Sequence, residues 1–184
     1  YAVTNETVDI PSEAVKTLAE NDAVESVSTT RLSVFMPGAG DILPFETDLS
    51  VQSHESLQLV NVDEAQLQIY APNLSAQDKQ ALKDGTGCLV KNPIAFSYGD
   101  TTVQQTDLTV GDTIQLGDRT LPVLGLIDTA ITINNDGFTN GVQLIVNDEI
   151  YCSLLGNDSY SEVYPTLQDN AATATFESLS LIHI

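Results

Sequence analysis

From Thr113 to Leu116 polar and apolar residues alternate at period two. The turn formers Gly117 and Asp118 follow, and Arg119 to Leu126 resumes the extended pattern, which together predict a β-hairpin. Gly111-Asp112 lets the chain turn sharply into it. Pro122 has no N–H to donate and so belongs at an edge, a strand start or a bulge. Nearer the N-terminus, a strand over 3–10 leads to Pro11-Ser12-Glu13, a helix start, after which Ala14, Val15, Leu18 and Ala19 share a face until Asn21-Asp22 closes the helix. Alternation then extends from Val24 to Met36, so the chain opens as β-α-β. Pro37 to Asp41, with Gly38 and Gly40, breaks into a loop.

Leu57 to Val62 and Gln66 to Tyr70 read as two further strands, and Leu74-Ser75-Ala76-Gln77-Asp78 starts a short helix that reaches Lys83 and stops at Gly85. Asn92-Pro93 ends the next strand. Ala130 to Ile133 and Val142 to Val146 flank a turn centred on Asn134-Asn135-Asp136-Gly137. Asn147 is placed to cap a helix over Asp148 to Leu155, where first-turn acids suit the helix dipole, and Gly156 ends it. A strand over Tyr160 to Leu167 and a helix over Asn170 to Leu181 complete a β-α-β-α tail. Mixed units thus bracket a mostly β middle. The fold class expected is α+β: a discontinuous β-α-β subdomain built from both chain ends, 1–36 and 141–184, with a mostly β inserted region over 37–140 that includes the 107–128 hairpin.

A chain of 184 residues that is 42% hydrophobic can bury a real core. Its 26 acidic residues against 6 basic ones give a net charge of −20, spread along the sequence. That balance excludes nucleic acid as a partner, because phosphate binding needs Lys and Arg, and an anionic membrane surface would repel the domain. The plain reading of the acids is solubility, the alternative an attraction for cations. No apolar run is long enough to span a bilayer and no signal peptide opens the chain, which in a complete protein would mean the cytosol. A start at Tyr1 without an initiator Met fits an excised domain or a processed protein. Cys88 and Cys152 permit one disulfide without requiring it, and both read as small buried apolar residues.

Chemistry motifs mostly fail. Thr132 to Gly137 imitates the start of a calcium loop, but Thr132 would be the first ligand and Gln143 the twelfth, where a carboxylate is needed. His54 and His183 have no spaced Cys, His or Glu partners for zinc. Nucleophile elbow, phosphate loop and dinucleotide fingerprint are absent, so neither a catalytic residue, a metal nor a cofactor is expected. Tyr151, Tyr160 and Tyr164 could face a partner, though strand and core packing is the plainer reading. Apolar residues gather in the loop after the long strand, and Met36, Pro37, Ile42, Leu43 and Phe45 are the candidate partner-contact residues.

Three stretches, in order, resemble the extracytoplasmic domain of MacB/FtsX-type ABC transporter permeases. They are Gly85-Thr86-Gly87-Cys88-Leu89-Val90-Lys91-Asn92; Gly111-Asp112-Thr113-Ile114-Gln115-Leu116 with Leu121-Pro122-Val123-Leu124-Gly125-Leu126; and Leu144 to Tyr151 through Tyr164 to Asp169. The resemblance covers the second half of the chain well and the first half loosely, through Ile10-Pro11-Ser12 and Val24 to Met36; residues 37–73 match nothing in it.

The resemblance implies a non-catalytic domain on the extracellular side of the cell membrane, with transmembrane helices flanking both ends. The end-built subdomain would be porter-like and membrane-proximal. It further implies a cytoplasmic ATPase subunit acting through the parent permease, a permease dimer, and an extracytoplasmic protein or peptide as substrate or partner. The competing expectation is an extracellular binding or adhesion module of a bacterial surface protein, and an acidic hydrolase is a third, unsupported by any carboxylate spacing.

Overall fold

The computed structural model describes residues 3–4, 9–50, 56–91, 97–98, 101–102, 108–132 and 141–168. Its elements are β1 (Val3–Thr4), α1 (Ser12–Ala19), β2 (Val24–Phe35), a 3-10 turn (Pro37–Ala39), β3 (Ser56–Val62), α2 (Glu64–Tyr70), α3 (Ala76–Lys83) and β4 (Cys88–Lys91). They continue with β5 (Ser97–Tyr98), β6 (Thr101–Thr102), β7 (Thr113–Leu116), β8 (Arg119–Leu126), β9 (Gly141–Ile145), α4 (Asp148–Leu155) and β10 (Glu162–Leu167). The mixed α+β class expected from the sequence is therefore the class observed. Two compact units divide the chain: residues 1–30 with 158–184, and residues 31–157.

The first unit is built from both chain ends. In it β10 lies between β1 and β2, antiparallel to both, with Val163 opposite Val3 on one side and Thr29 on the other. Helix α1 buries Val15 against Ile10 and Val163, and Leu18, Val27 and Tyr160 close around them. After the helix, the Asn21 side-chain oxygen accepts the Ala23 N–H at 2.9 Å, an Asx turn that stops α1 and starts β2.

In the second unit the strand order is β2-β3-β9-β4-β8-β7. β3 runs parallel to β9 and β4 parallel to β8, while β4 and β9 are antiparallel. Alternate side chains supply two cores. On one face Leu57, Leu59, Val142, Leu144, Cys88 and Val90 pack with Ile150 and Tyr151 of α4. On the other, Val60, Ile145 and Leu89 pack with Leu67 of α2, Leu82 of α3, Ile127 and Ile131. Strands covered on both faces have no solvent side to make polar, so β3, β4 and β9 are buried along almost their whole length.

The hairpin is β7 and β8 joined at Gly117-Asp118, with Leu116 opposite Arg119 and Gly117 at φ 59°. Pro122 is tolerated because it faces Thr113 at the last rung of the hairpin, and pairing of β8 with β4 begins one residue later, at Val123. Helices α3 and α4 start where the sequence placed them: the Ser75 hydroxyl accepts from Asp78 N–H at 3.1 Å, and Asn147 Oδ1 from Ile150 N–H at 3.0 Å.

One element differs. The strand expected over Gln66 to Tyr70 is the C-terminal part of helix α2. Asp63 ends β3's run and caps the helix, its carboxylate accepting the Gln66 N–H at 2.9 Å, and Leu67 turns into the core with Tyr70 packed against it while Ile69 is 73% exposed. Five alternating residues suit either structure, and the Asx cap decides between them. The helix expected over Asn170 to Leu181 and the turn at Asn134 to Gly137 lie outside the described residues.

Candidate functional site

The loop that leaves β2 holds the five candidate contact residues. It is tightly closed: Ala39 N–H donates to Met36 O at 2.9 Å, Gly40 N–H to Pro37 O at 3.1 Å, and the Asp41 carboxylate accepts the Met36 N–H at 2.7 Å. Gly40 sits at φ 104°, a left-handed conformation that glycine reaches without strain. Phe45 turns into the core, its ring edge-on to Phe35 at a centroid distance of 5.9 Å and an interplanar angle of 89°. Beyond it the chain covers the open edge of β7. Gly117 N–H donates to Glu46 O at 2.8 Å, Gln115 N–H donates to the Asp48 carboxylate at 2.9 Å, and Thr47 bridges to Leu116.

These anchors divide the candidates. Phe45 is buried, Leu43 is half-buried against the same core, and Met36 and Pro37 are half-buried. Ile42 is 91% exposed between Asp41 and the Leu43-Pro44 step. The loop is thus held from both sides while presenting one aliphatic side chain to solvent.

Two buried polar groupings were not singled out by the sequence reading. In one, Gln143 of β9 donates to Gln58 Oε1 of β3 at 2.6 Å and to Ile131 O at 2.7 Å, and accepts the Ile131 N–H at 2.9 Å; Gln58 in turn donates to Ser56 Oγ at 2.7 Å. Register places Lys91 of β4 opposite Gln143, and burial of this lysine pushes its pKa down. The signal was present as Gln-Leu in the middle of both apolar runs, at positions that pair in the parallel β3–β9 ladder. In the other, the Arg31 guanidinium, 3% exposed, bonds Asn61 Oδ1 at 3.1 Å and pairs with Asp148, while Asn61 Nδ2 donates to Val146 O at 3.1 Å. This joins β2, β3, α4 and the residue that follows β9 by polar contacts, and each group in it has a structural partner.

Arg31 pairs with Asp148, and Arg119 with Glu149 at 2.6 Å. Neither cysteine is in a disulfide; burial pushes the Cys88 thiol from 9.0 up to about 12, and Cys152 is half-buried. Tyr151 is buried with its hydroxyl 2.7 Å from Ser33 Oγ, Tyr160 bridges to Ile10, and the Tyr164 hydroxyl donates to the buried Glu162 carboxylate. Tyr151 and Tyr160 pack against the cores of their own units. Among the described residues no three Cys, His, Asp or Glu side chains gather to hold a metal, and no helix is long and apolar enough to cross a membrane. Gln143, the twelfth position of the calcium-like loop, is committed to the buried amide pairing.

No family model matches the chain, and no curated protein matches it in sequence. Solved structures do. The extracellular domain of the noncanonic ABC-type transporter YknZ from Gram-positive bacteria is similar over 91% of this chain and 78% of its own length, at a TM-score of 0.53 and 11% identity. The periplasmic region of MacB from Actinobacillus actinomycetemcomitans is similar over 94% and 76%, at a TM-score of 0.50 and 11% identity. Agreement on this scale at such low identity is agreement of fold, and it extends over the first half of the chain, where sequence likeness was loose. The chain has the fold of the extracytoplasmic domains of MacB-like ABC transporter permeases.

Proposed function

We propose that this chain is the non-catalytic extracytoplasmic domain of an ABC transporter permease subunit, coupling movement of flanking transmembrane helices to engagement of a protein or peptide outside the membrane. The fold likeness supports the general kind, and one feature of the first unit supports the coupling. β1 and β10 are antiparallel neighbours, Val3 opposite Val163. In such a pair the start of one strand lies beside the end of the other. With Val3 opposite Val163, β10 runs on past Val3 to Leu167, in the direction from which β1 comes. Two membrane helices joined there would pull on one small unit, and their rearrangement would reach the rest of the domain as a rigid displacement.

In this reading ATP is hydrolysed by a cytoplasmic partner subunit, and the permease works as a dimer. The decisive experiment is to read the encoded sequence on both sides of Tyr1 and Ile184. An apolar run of about 20 residues close to each end is expected. If neither is present, the likeness is of fold alone and the binding or adhesion module becomes the better account.

A further inference from the structure

We propose that the loop from Met36 to Asp48 is a docking surface for a cationic, amphipathic polypeptide segment of a partner protein, with Ile42 as its apolar anchor and Asp41 and Glu46 as its charged collar. This rests on the reading that the domain meets a partner outside the membrane.

Three observations converge on it. Ile42 is 91% exposed, although an aliphatic side chain gains about 1.5–3 kcal/mol when fully buried. Its loop is held in place: the Asp41 carboxylate and the 3-10 turn close one side, and Phe45, seated on Phe35, fixes the other. A side chain presented on a preorganised loop loses little freedom when a partner covers it, which is what an anchor residue requires.

Charge then selects the partner. Between Arg31 and Lys79 the sequence has no Lys or Arg, while Asp41, Glu46, Asp48, Glu55, Asp63, Glu64 and Asp78 all fall within that stretch. Arg31 is itself buried and bonded to Asp148 and Asn61. Asp41, Glu46 and Asp48 are exposed, and the hydrogen bonds of Asp41 and Asp48 to backbone N–H groups hold those two carboxylates in fixed positions. An exposed aliphatic side chain on a loop that carries the exposed carboxylates of Asp41, Glu46 and Asp48 repels an anionic lipid surface and an acidic protein alike. A segment with Lys or Arg around a small apolar face satisfies both features.

The test uses the 184-residue chain, isotopically labelled at isoleucine methyl groups, and two probes: a short amphipathic Leu/Lys peptide and its Leu/Glu counterpart. The Leu/Lys peptide should shift the Ile42 methyl resonance and leave that of the buried Ile150 unmoved. Ile42→Ser should weaken binding about tenfold, equivalent to about 1.4 kcal/mol. Asp41→Asn with Glu46→Gln should weaken it further and flatten its salt dependence. Unchanged affinity in Ile42→Ser would mean that the −20 surface attracts cations without a site, and the proposal fails. It fails equally if the Leu/Glu peptide binds as well, or if zwitterionic lipid vesicles, and not the peptide, shift Ile42. The reading of the flanking sequence is independent of these outcomes, so loss of this inference leaves the permease reading standing.

Discussion

The two units are stabilised very differently. In the second, a sheet is covered on both faces, and Leu57, Leu59, Val90, Val142 and Leu144 have essentially no exposed surface. The first gathers Ile10, Val15 and Val163 under one eight-residue helix. Burial scales with the apolar area removed from water, so the second unit holds most of the folding energy visible among the described residues. Among the described residues, the candidate docking loop is braced on the heavily cored unit.

Core truncation probes that difference most strongly. Leu144→Ala, at the centre of β9, should cost about 4 kcal/mol, and Val163→Ala in the first unit about 2 kcal/mol, measured by urea denaturation. Equal costs would erase the contrast between the units.

The Arg31 contact sharpens it next. Asp148→Ala leaves a guanidinium at 3% exposure without that carboxylate and should cost about 3 kcal/mol, whereas Arg31→Met removes the buried charge, leaves Asp148, 66% exposed, to water, and should cost less. The reverse order would show that the pair itself is the source of stability.

Smaller again is the α4 cap. Asn147 both accepts the Ile150 N–H and donates to Lys83 O at 3.0 Å, so Asn147→Ala should cost about 2 kcal/mol, against about 1 kcal/mol for Ser75→Ala at the exposed start of α3.

At neutral pH the smallest effect is that of Cys88. Its folded pKa is raised from 9.0 to about 12, so its contribution is fully present below pH 9 and is lost as pH rises from there toward 12. Stability should fall across that alkaline range, less steeply in Cys88→Ala than in the parent. Lys91 acts oppositely, because its lowered folded pKa means that the cost of burying its charge is relieved as pH rises toward 10.5. At pH 8 a maleimide should modify Cys152 before Cys88.

Local signals made much of the second unit legible. The hairpin at Gly117-Asp118 and the caps at Ser75 and Asn147 are written in adjacent residues, and each is found where the sequence puts it. Helix α2 was missed because alternation from Gln66 to Tyr70 outweighed a cap at Asp63 that lies outside the alternating segment. The buried amide pairing was missed for a different reason: Gln58 and Gln143 are separated by 85 residues and meet only once β3 and β9 pair. The contact loop was legible as a loop with apolar residues. Its division into a buried Phe45 and an exposed Ile42 depends on Phe35 and on the β7 edge, which no local pattern supplies.

The most direct test of the proposed coupling uses the full-length protein, reconstituted with the ATPase subunit that the proposal requires and with Cys88 and Cys152 replaced. Spin labels at Glu13→Cys on α1 report the distance between the two copies, and a Lys83→Cys and Asp118→Cys pair reports distance within the second unit. The account predicts that trapping nucleotide changes the first distance and leaves the second unchanged. An unchanged α1 distance, or deformation within the second unit, would contradict it.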